Sequence, residues 1–407
     1  MNIKKVLASI SIIALSYSSV GLTAVSARSA DDPDSGSNRK IVVFKDGVTD
    51  EIRDNVLGAR FASRKIKRLE VSGADVLENV SDSETAGLKA NPNVLRVETD
   101  AIATIQVRDV RDAAKGNGNA TIQAQTLPWG IDKIDAEQVW LTGNTAEPIK
   151  VGIIDTGISL KHPDLANNIK GGYNAITNRK GANDDNGHGS HVAGIIAALN
   201  NSSGVVGVAP KADLYAIKAL NAAGSGYISD IVEGIDWAIS RNIKVINMSF
   251  GCACDVQFMH DAVIRAKNAG IVIVAAAGNS ATDPVIYPAA YPEVIAVSAT
   301  DSSDALASWS ARGPEVDLSA PGVGVYSTYK GKGYATLSGT SMASPHVAGA
   351  AALVLNTPVG NYDENNNSKW DPPELTAKLK GSVTDLGTFG FDNLFGFGLV
   401  NAFLASQ

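Results

Sequence analysis

Apolar positions along the chain fall into three regimes. In the first, Lys4 and Lys5 precede an apolar stretch from Val6 to about Ala14, broken by Ser9 and Ser11, and Val25-Ser26-Ala27 then places small residues where a signal peptidase reads. This is the three-part pattern of a secretory signal, assigned to residues 1–27. The stretch is too short and too rich in serine to span ~30 Å of hydrocarbon. No later stretch reaches the roughly 18 apolar residues of a membrane helix. The expectation is a secreted, extracellular protein with no membrane partner.

The second regime covers Arg39 to about Gln106, after a polar segment, DDPDSGSN, at 31–38. Lys40–Phe44, Gly73–Leu77 and Val94–Glu98 read as strands. Thr49 to about Gly58 reads as a helix capped by Thr49 or Asp50. Ser83–Ala90 reads as a second helix, stopped by Asn91-Pro92. Together they make a small α+β unit. A linker rich in Gly, Asn and Ala follows at 107–123, and the tetrapeptide Ala-Thr-Ile-Gln occurs at 103–106 and again at 120–123. Two processing sites or a chance repeat would both give that.

From about Ala124 short apolar runs alternate with helical patterns. Strands are expected at Ile149–Ile154, Leu214–Leu220, Lys244–Phe250, Ile271–Ala277 and Val294–Thr300. Helices are expected at His188–Leu199, Ile228–Ser240 and Val256–Ala269, and a long apolar one from Ser341 to about Leu355. Alternating β and α elements with fully apolar strands predict an α/β fold, a doubly wound parallel sheet covered on both faces. Sites in such sheets lie outside the carboxyl ends of the strands, where Asp155, Ser249 and Asn279 fall.

Composition narrows the function classes. The chain has 407 residues, and at roughly 150 per domain this allows two or three domains. Its 44% hydrophobic and 19% charged content suits a folded protein with a sizeable core. Two cysteines exclude a disulfide-dense scaffold. The net charge is −7 with no basic stripe, which argues against a nucleic-acid partner. The acidic excess lies in 124–407, with 18 basic and 26 acidic residues, whereas 28–123 carry 15 and 16. Unpaired carboxylates there suit bound cations, with a solvated surface as the default.

Three segments set a reactive side chain among glycines or at a turn: Ile154-Asp155-Thr156-Gly157, Asn186-Gly187-His188-Gly189-Ser190-His191, and Gly339-Thr340-Ser341-Met342-Ala343-Ser344-Pro345-His346. A serine nucleophile needs a base to take its proton, and the base needs an acid to fix its tautomer. Asp155, His188 and Ser341 supply those roles in that order. Ser341 opens a helix, whose N-terminus favours developing negative charge. Asn279 offers an amide donor to an oxyanion. Each has a plainer reading: an Asp after a strand is most often a cap, and His191, three positions after His188 with no third ligand near, reads as a packed core histidine. The serine motif lacks the second glycine of the GxSxG elbow, which argues against a lipase or esterase.

These segments resemble those of the subtilisin-like serine proteases, the subtilases. The likeness runs almost continuously from Gln125-Thr126-Leu127-Pro128-Trp129-Gly130 to Gly398-Leu399-Val400-Asn401-Ala402, and Gly339–Ala352, GTSMASPHVAGAAA, is its most specific stretch. It implies a subtilisin-like α/β fold with Asp155, His188 and Ser341 as the triad and Asn279 as the oxyanion donor. It also implies that 28–123 is a propeptide, a folding chaperone and inhibitor cleaved off autocatalytically, and that 124–407 is the peptidase domain. The expected reaction is endopeptidase hydrolysis of protein or peptide substrates through an acyl-enzyme, by a monomer. The rival reading is a catalytically silent scaffold used as a binding module.

The resemblance further implies that an extended substrate lies between Gly224-Ser225-Gly226 and Ser249-Phe250-Gly251, with broad selectivity for aromatic and aliphatic side chains before the scissile bond. Ile286 stands before Tyr287-Pro288 where many relatives carry Gly at the pocket base, and so shortens the pocket. Cys252-Ala253-Cys254 is a second departure. A disulfide, two thiols or half a metal site all fit, and secretion favours the disulfide.

Calcium is the expected cofactor. The resemblance matches Gln125, Asp164, Leu199, Asn201, Ser203 and Val205 to a tight site, and Ala289, Tyr291, Val294 and Asp317 to a weak one. A further site is read from spacing alone. Asp363, Asn365, Asn367, Asp371 and Glu374 fall at positions 1, 3, 5, 9 and 12 of an EF-hand loop, with the Lys369 carbonyl at position 7. The usual Gly at position 6 is Ser368, which requires altered backbone geometry there.

Overall fold

The computed structural model describes residues 38–111, 124–177 and 181–407. The expected signal segment and the second Ala-Thr-Ile-Gln copy lie outside the described residues. The small unit is built from β1 (Lys40–Phe44), α1 (Asp50–Ala62), β2 (Lys65–Leu69), β3 (Ala74–Leu77), α2 (Asp82–Lys89) and β4 (Val94–Thr99). Its antiparallel sheet has the order β2-β3-β1-β4. The alternation of β1 puts Val42 and Phe44 into a core with Leu57, Phe61, Leu77, Leu88 and Val97. Ser81 and Glu84 form a capping box that starts α2. The predicted stop of the first helix at Gly58 is a kink with φ of 63°, beyond which α1 resumes to Ala62.

The predicted linker begins as structure. After β5 (Ile102–Ile105) the chain forms β6 (Asp109–Arg111), which pairs with a strand of the large unit. That unit runs through α3 (Trp129–Lys133), α4 (Ala136–Trp140), β7 (Lys150–Asp155), β8 (Ile169–Asn174), α5 (His188–Ala197), β9 (Asp213–Lys218), β10 (Ser225–Tyr227), α6 (Ile228–Ser240), β11 (Val245–Met248), β12 (Phe250–Gly251) and α7 (Gln257–Asn268). It continues with β13 (Val272–Ala276), β14 (Ile295–Thr300), β15 (Val316–Pro321), β16 (Val325–Thr328), β17 (Tyr334–Ser338), α8 (Thr340–Val354), α9 (Pro372–Lys380), β18 (Val383–Thr384), β19 (Leu399–Val400) and α10 (Ala402–Ala405).

Nine strands form the main sheet, ordered β18-β19-β15-β14-β13-β11-β7-β9-β8. All pairings from β19 to β8 are parallel, and only β18 runs against its neighbour. This is the expected doubly wound α/β sheet. Every residue of α5 and α8 is buried, as a helix apolar on all sides requires. Small residues let α8 approach its neighbours: a Cβ on Gly349 would lie 2.6 Å from Val208 Cβ. The expected helix Ile228–Ser240 is found with those bounds, and other expected elements differ at their ends.

Candidate active site

Parallel strands deliver the acid and the base to one corner. Asp155 ends β7, and His188 opens α5. His188 Nδ1 lies 2.8 and 2.9 Å from the two Asp155 carboxylate oxygens, with both side chains buried. Asp155 Oδ1 also accepts the Thr156 N–H at 2.7 Å, which fixes the carboxylate plane. The approach depends on Gly189, where a Cβ would lie 2.1 Å from the Gly157 carbonyl oxygen. Among the described residues His188 Nε2 finds no hydrogen-bond partner.

Ser341 stands in the first turn of the 15-residue helix α8. Its Oγ donates to Ser249 O at 2.7 Å and accepts the Gln106 N–H at 3.0 Å, so it is turned away from His188. The Gln106 carbonyl oxygen meets the Ser341 N–H at 3.4 Å. Gly339 leaves room for it, since a Cβ there would sit 2.2 Å from that oxygen. The Asn279 Oδ1 accepts from the Thr340 N–H and Oγ1, at 2.9 and 3.0 Å, which leaves its amide nitrogen as a donor beside Ser341.

The six residues expected to flank a substrate do flank an extended segment, and it is the chain's own. β5 lies antiparallel between β10 and β12. Ile105 N–H donates to Gly224 O at 3.0 Å, and Gln106 N–H approaches Ser249 O at 3.4 Å. Beyond the Gln106–Val107 bond, Arg108 N–H donates to Ser338 O at 2.8 Å and β6 pairs with β17. An uncut chain therefore runs through the cleft, with one peptide bond held at Ser341.

Two carboxylates just upstream cap helices of the large unit. Asp100 accepts the Ser229 N–H and hydroxyl at 2.9 and 2.8 Å in the first turn of α6, and Glu98 accepts the Phe258 N–H at 3.2 Å in that of α7. Burial pushes the Asp100 carboxyl up to about 6, against the pull of Arg39 and the Ser229 hydrogen bonds.

Sequence reasoning missed the residues that hold this corner. Buried Asp184 accepts the Thr156 and Ser190 hydroxyls at 2.9 and 2.6 Å and the Asn186 and Gly187 N–H groups, both at 2.9 Å. Buried Lys218, at the end of β9, donates to Thr156 O and Asp185 at 2.7 Å each. The Asp184-Asp185-Asn186-Gly187 turn signature before His188 was the available signal. His191 is a packed core histidine: Nε2 lies 3.1 and 3.0 Å from the Val325 and Ala335 carbonyls, and burial lowers it to about 3.

The residues matched to the tight calcium site gather around Gln125. Its amide nitrogen donates to Leu199 O and Val205 O at 2.7 and 3.2 Å, so two carbonyls converge on one point. Amide oxygen and nitrogen are assigned from their bonds rather than seen. Turned over, the same amide adds an oxygen to those carbonyls. Asp164 accepts from Asn201 Nδ2 and from the Val205 N–H, both at 2.8 Å, and its burial raises its carboxyl. Ser203 is tied to Asn201 Oδ1 through its N–H at 2.7 Å. Carbonyl and amide oxygens around one buried carboxylate fit a hard cation.

In the EF-hand-like loop Ser368 adopts φ of 58°, the left-handed turn that position 6 demands. Asp363 accepts the Asn367 and Ser368 N–H groups at 2.9 and 3.0 Å, Asn365 and Asn367 both donate to Asp371, and the Asn367 Oδ1 accepts the Lys369 N–H at 2.7 Å. Glu374 is turned onto the Glu364 and Asp371 N–H groups, both at 3.0 Å. Among the described residues no three His, Cys, Asp or Glu side chains gather as a metal cluster. At the weak site Asp317 already meets the Lys380 ammonium at 2.6 Å. Cys252 and Cys254 are joined by a disulfide, with Cα atoms 5.1 Å apart.

A family model described as "Subtilase family" matches residues 146–398. An "Alkaline protease" of Shouchella clausii is 42% identical over 328 residues, covering 81% of this chain and 78% of the relative. The "Thermostable alkaline protease" of Halalkalibacterium halodurans is 44% identical over 328 residues, covering 81% and 82%. "Subtilisin Savinase" of Lederbergia lenta is 46% identical over 284 residues, covering 70% of this chain and 100% of the relative.

Proposed function

The chain belongs to the subtilase family of serine endopeptidases, and from that premise we propose that it is a secreted protease made as a self-processing zymogen. In this reading residues 1–27 are the signal, 28–123 the propeptide and 124–407 the peptidase domain. Asp155, His188 and Ser341 form the triad. Ser341 attacks the scissile carbonyl after its hydroxyl rotates from Ser249 O toward His188. His188 takes the proton and returns it to the leaving amine, and Asp155 holds the imidazole in the required tautomer. The Ser341 N–H and the Asn279 amide stabilise the oxyanion. The acyl-enzyme is then hydrolysed by water.

The observation that carries the reading is the seat of Gln106, whose carbonyl meets the α8 N-terminus while its N–H rests on Ser341 Oγ. The same contacts support the small unit as an inhibitor that fills the cleft with a substrate-like strand. They favour a cut after Gln106, while the repeated tetrapeptide makes Gln123 a second site. Structural calcium at the Gln125 cluster is part of the proposal, and the loop 363–374 is its second site. No helix among the described residues is long and apolar enough to cross a membrane, and a monomer is the default.

The test is the intact mass of wild type and Ser341→Ala after incubation with calcium. Wild type is expected to lose the prosegment and Ser341→Ala to keep it, with turnover reduced on the order of 10⁶-fold, a magnitude measured on subtilisin itself. If both stay full length with no protease activity, the silent-scaffold reading replaces this one. A mass ~2 Da below the reduced chain confirms the disulfide.

A further inference from the structure

Lys67 of the small unit ends in a seat made wholly by the large one. Its ammonium donates to Asp230 Oδ1, to Glu233 Oε2 at 2.7 Å and to Ala175 O at 2.7 Å. Asp230 and Glu233 stand three positions apart on α6, so their carboxylates share one face of the helix whatever lies against it. Tyr173 Oη donates to the other Glu233 oxygen at 2.5 Å, which aims Oε2 at the seat. Ala175 is fully buried just past β8, and its N–H donates to Lys218 O at 2.9 Å, which fixes the direction of its carbonyl. All of these supports stay behind when the small unit leaves.

The seat is more than a pair of acids. A cation already occupies it, on a buried lysine stem, and a backbone carbonyl from a second element turns toward the same point. Three oxygens thus lie within 2.7 Å of one positive centre. Without the ammonium, two carboxylates on one helix face repel each other, and the Ala175 carbonyl loses the Lys67 hydrogen bond. The donor set selects the replacement. Calcium takes oxygens at about 2.3–2.6 Å in loose geometry, whereas magnesium demands a near-ideal octahedron at about 2.0–2.1 Å. Two carboxylates and a carbonyl spaced for an ammonium, completed by water, suit calcium. A partly open cavity of about 200 Å³ has Lys67 and Asp230 on its wall, beside Asn221 and Tyr227, and gives an ion its path in.

Resting on the zymogen reading above, we propose that the seat of Lys67 is a calcium site of the mature enzyme, formed by Asp230, Glu233 and the Ala175 carbonyl, and that calcium and the small unit exclude one another there. The Lys67 ammonium and the cation cannot share three oxygens. Calcium therefore binds the parted enzyme and not the complex, and it loosens its own inhibitor. At ten times its Kd for the seat it raises the dissociation constant of the processed small unit by about tenfold. The Gln125 cluster is already seated in the uncut chain, so calcium there does not compete with the small unit.

Equilibrium dialysis against calcium counts the ions bound in two pairs of chains. In the uncut Ser341→Ala chain, adding Lys67→Ala empties the seat, and one further calcium per chain is expected. In the mature enzyme, Glu233→Gln removes a ligand, and one calcium fewer is expected. Circular dichroism checks that each chain is folded, and if Lys67→Ala is not, the mature pair decides. Dilution of the processed wild-type complex then reads the competition: release is expected at about tenfold higher protein concentration when calcium is raised to ten times the Kd of the seat. An unchanged count in a folded chain of either pair, or release that ignores calcium, overturns the proposal and leaves the peptidase reading intact. A chain that never gains activity toward casein overturns the peptidase reading, and the count in the uncut pair still decides the seat.

Discussion

The interior of the large unit and its contact with the small unit differ in how much charge they hold. The interior is aliphatic: α8 and the strands β11, β13 and β14 are buried along their whole length. The contact is mixed: Ile41, Val43, Leu69, Ala74 and Val76 of the small sheet share one apolar cluster with Ile231, Ile235, Phe258 and Met259 of α6 and α7, and charged pairs are added to it. Lys67 reaches from β2 to Asp230, to Glu233 at 2.7 Å and to Ala175 O at 2.7 Å. Arg96 pairs with Asp261, Ser72 with Asp236, and Glu98 and Asp100 cap α7 and α6. An aliphatic interior holds in any salt and at any protonation state. A contact that adds ion pairs and caps to an apolar patch exposes that patch when it parts, while Asp230, Glu233 and Asp236 gain water in place of their partners.

The sharpest break of this contrast is at Lys67. Its side chain is 6% exposed and its loss strands Asp230 beside Glu233. Removing one partner of a buried pair costs roughly 3–5 kcal/mol, a hundredfold or more in a dissociation constant. Lys67→Met keeps the stem and removes the charge. After processing, the variant complex is expected to release active enzyme on dilution at a concentration at least about a hundredfold above wild type. Equal dilution curves would show that the aliphatic part of the contact dominates.

A second comparison sharpens the independence of the large unit. Gln125 is seated against Leu199 and Val205 while Gln106 is still joined through the cleft. Calcium binding by this cluster is therefore expected in the uncut chain. At a hundredfold excess over its Kd the cation adds about 2.7 kcal/mol. For a chain of this size that raises Tm by about 3–5 °C. Melting of full-length Ser341→Ala with calcium against chelator reads it directly, and Asp164→Asn is expected to erase the difference. A shift present only in the mature enzyme would place the seating of Gln125 after the cut.

How much of this was legible in the chain follows the same division. Elements inside the large unit declare themselves, because a strand such as β13 or a helix such as α6 is apolar where it is buried. The candidate corner was legible in part: Asp155 and His188 meet as their glycine-rich signatures suggest, while the Ser341 hydroxyl turns to Ser249 O. What did not show was the charged part of the contact. β2 reads Lys-Ile-Lys-Arg-Leu, and its charged residues hide a strand whose Lys67 is buried against another unit. β5 and β6 looked like the end of a domain and the start of a linker, because their partners β10, β12 and β17 lie more than a hundred residues away in sequence. Ser368 looked like a defect in a loop and turned out to adopt the left-handed turn itself.

The smallest expected effect tests the caps. Asp100 is buried against the first turn of α6, with Arg39, Ser229 and Asp230 around it. Its carboxyl rises to about 6 in the contact, against about 3.9 when free in water. A carboxyl raised on association takes up a proton as the complex forms. The complex therefore gains stability as pH falls from about 6 toward 4, and above 6 it bears the full cost of the charged, buried group. The dissociation constant of the processed small unit is expected to rise by about tenfold between pH 5 and pH 8, because only the part of the shift between pH 5 and about 6 falls in that window. The measurement follows dissociation by size rather than by activity, so that His188 titration does not enter. Asp100→Asn removes the titrating group and keeps an oxygen for the Ser229 N–H, and its profile is expected to be flat over that range. A wild-type complex that loosens in acid instead would mean that the helix N-terminus and Arg39 outweigh burial, and that Asp100 acts as a charged cap throughout.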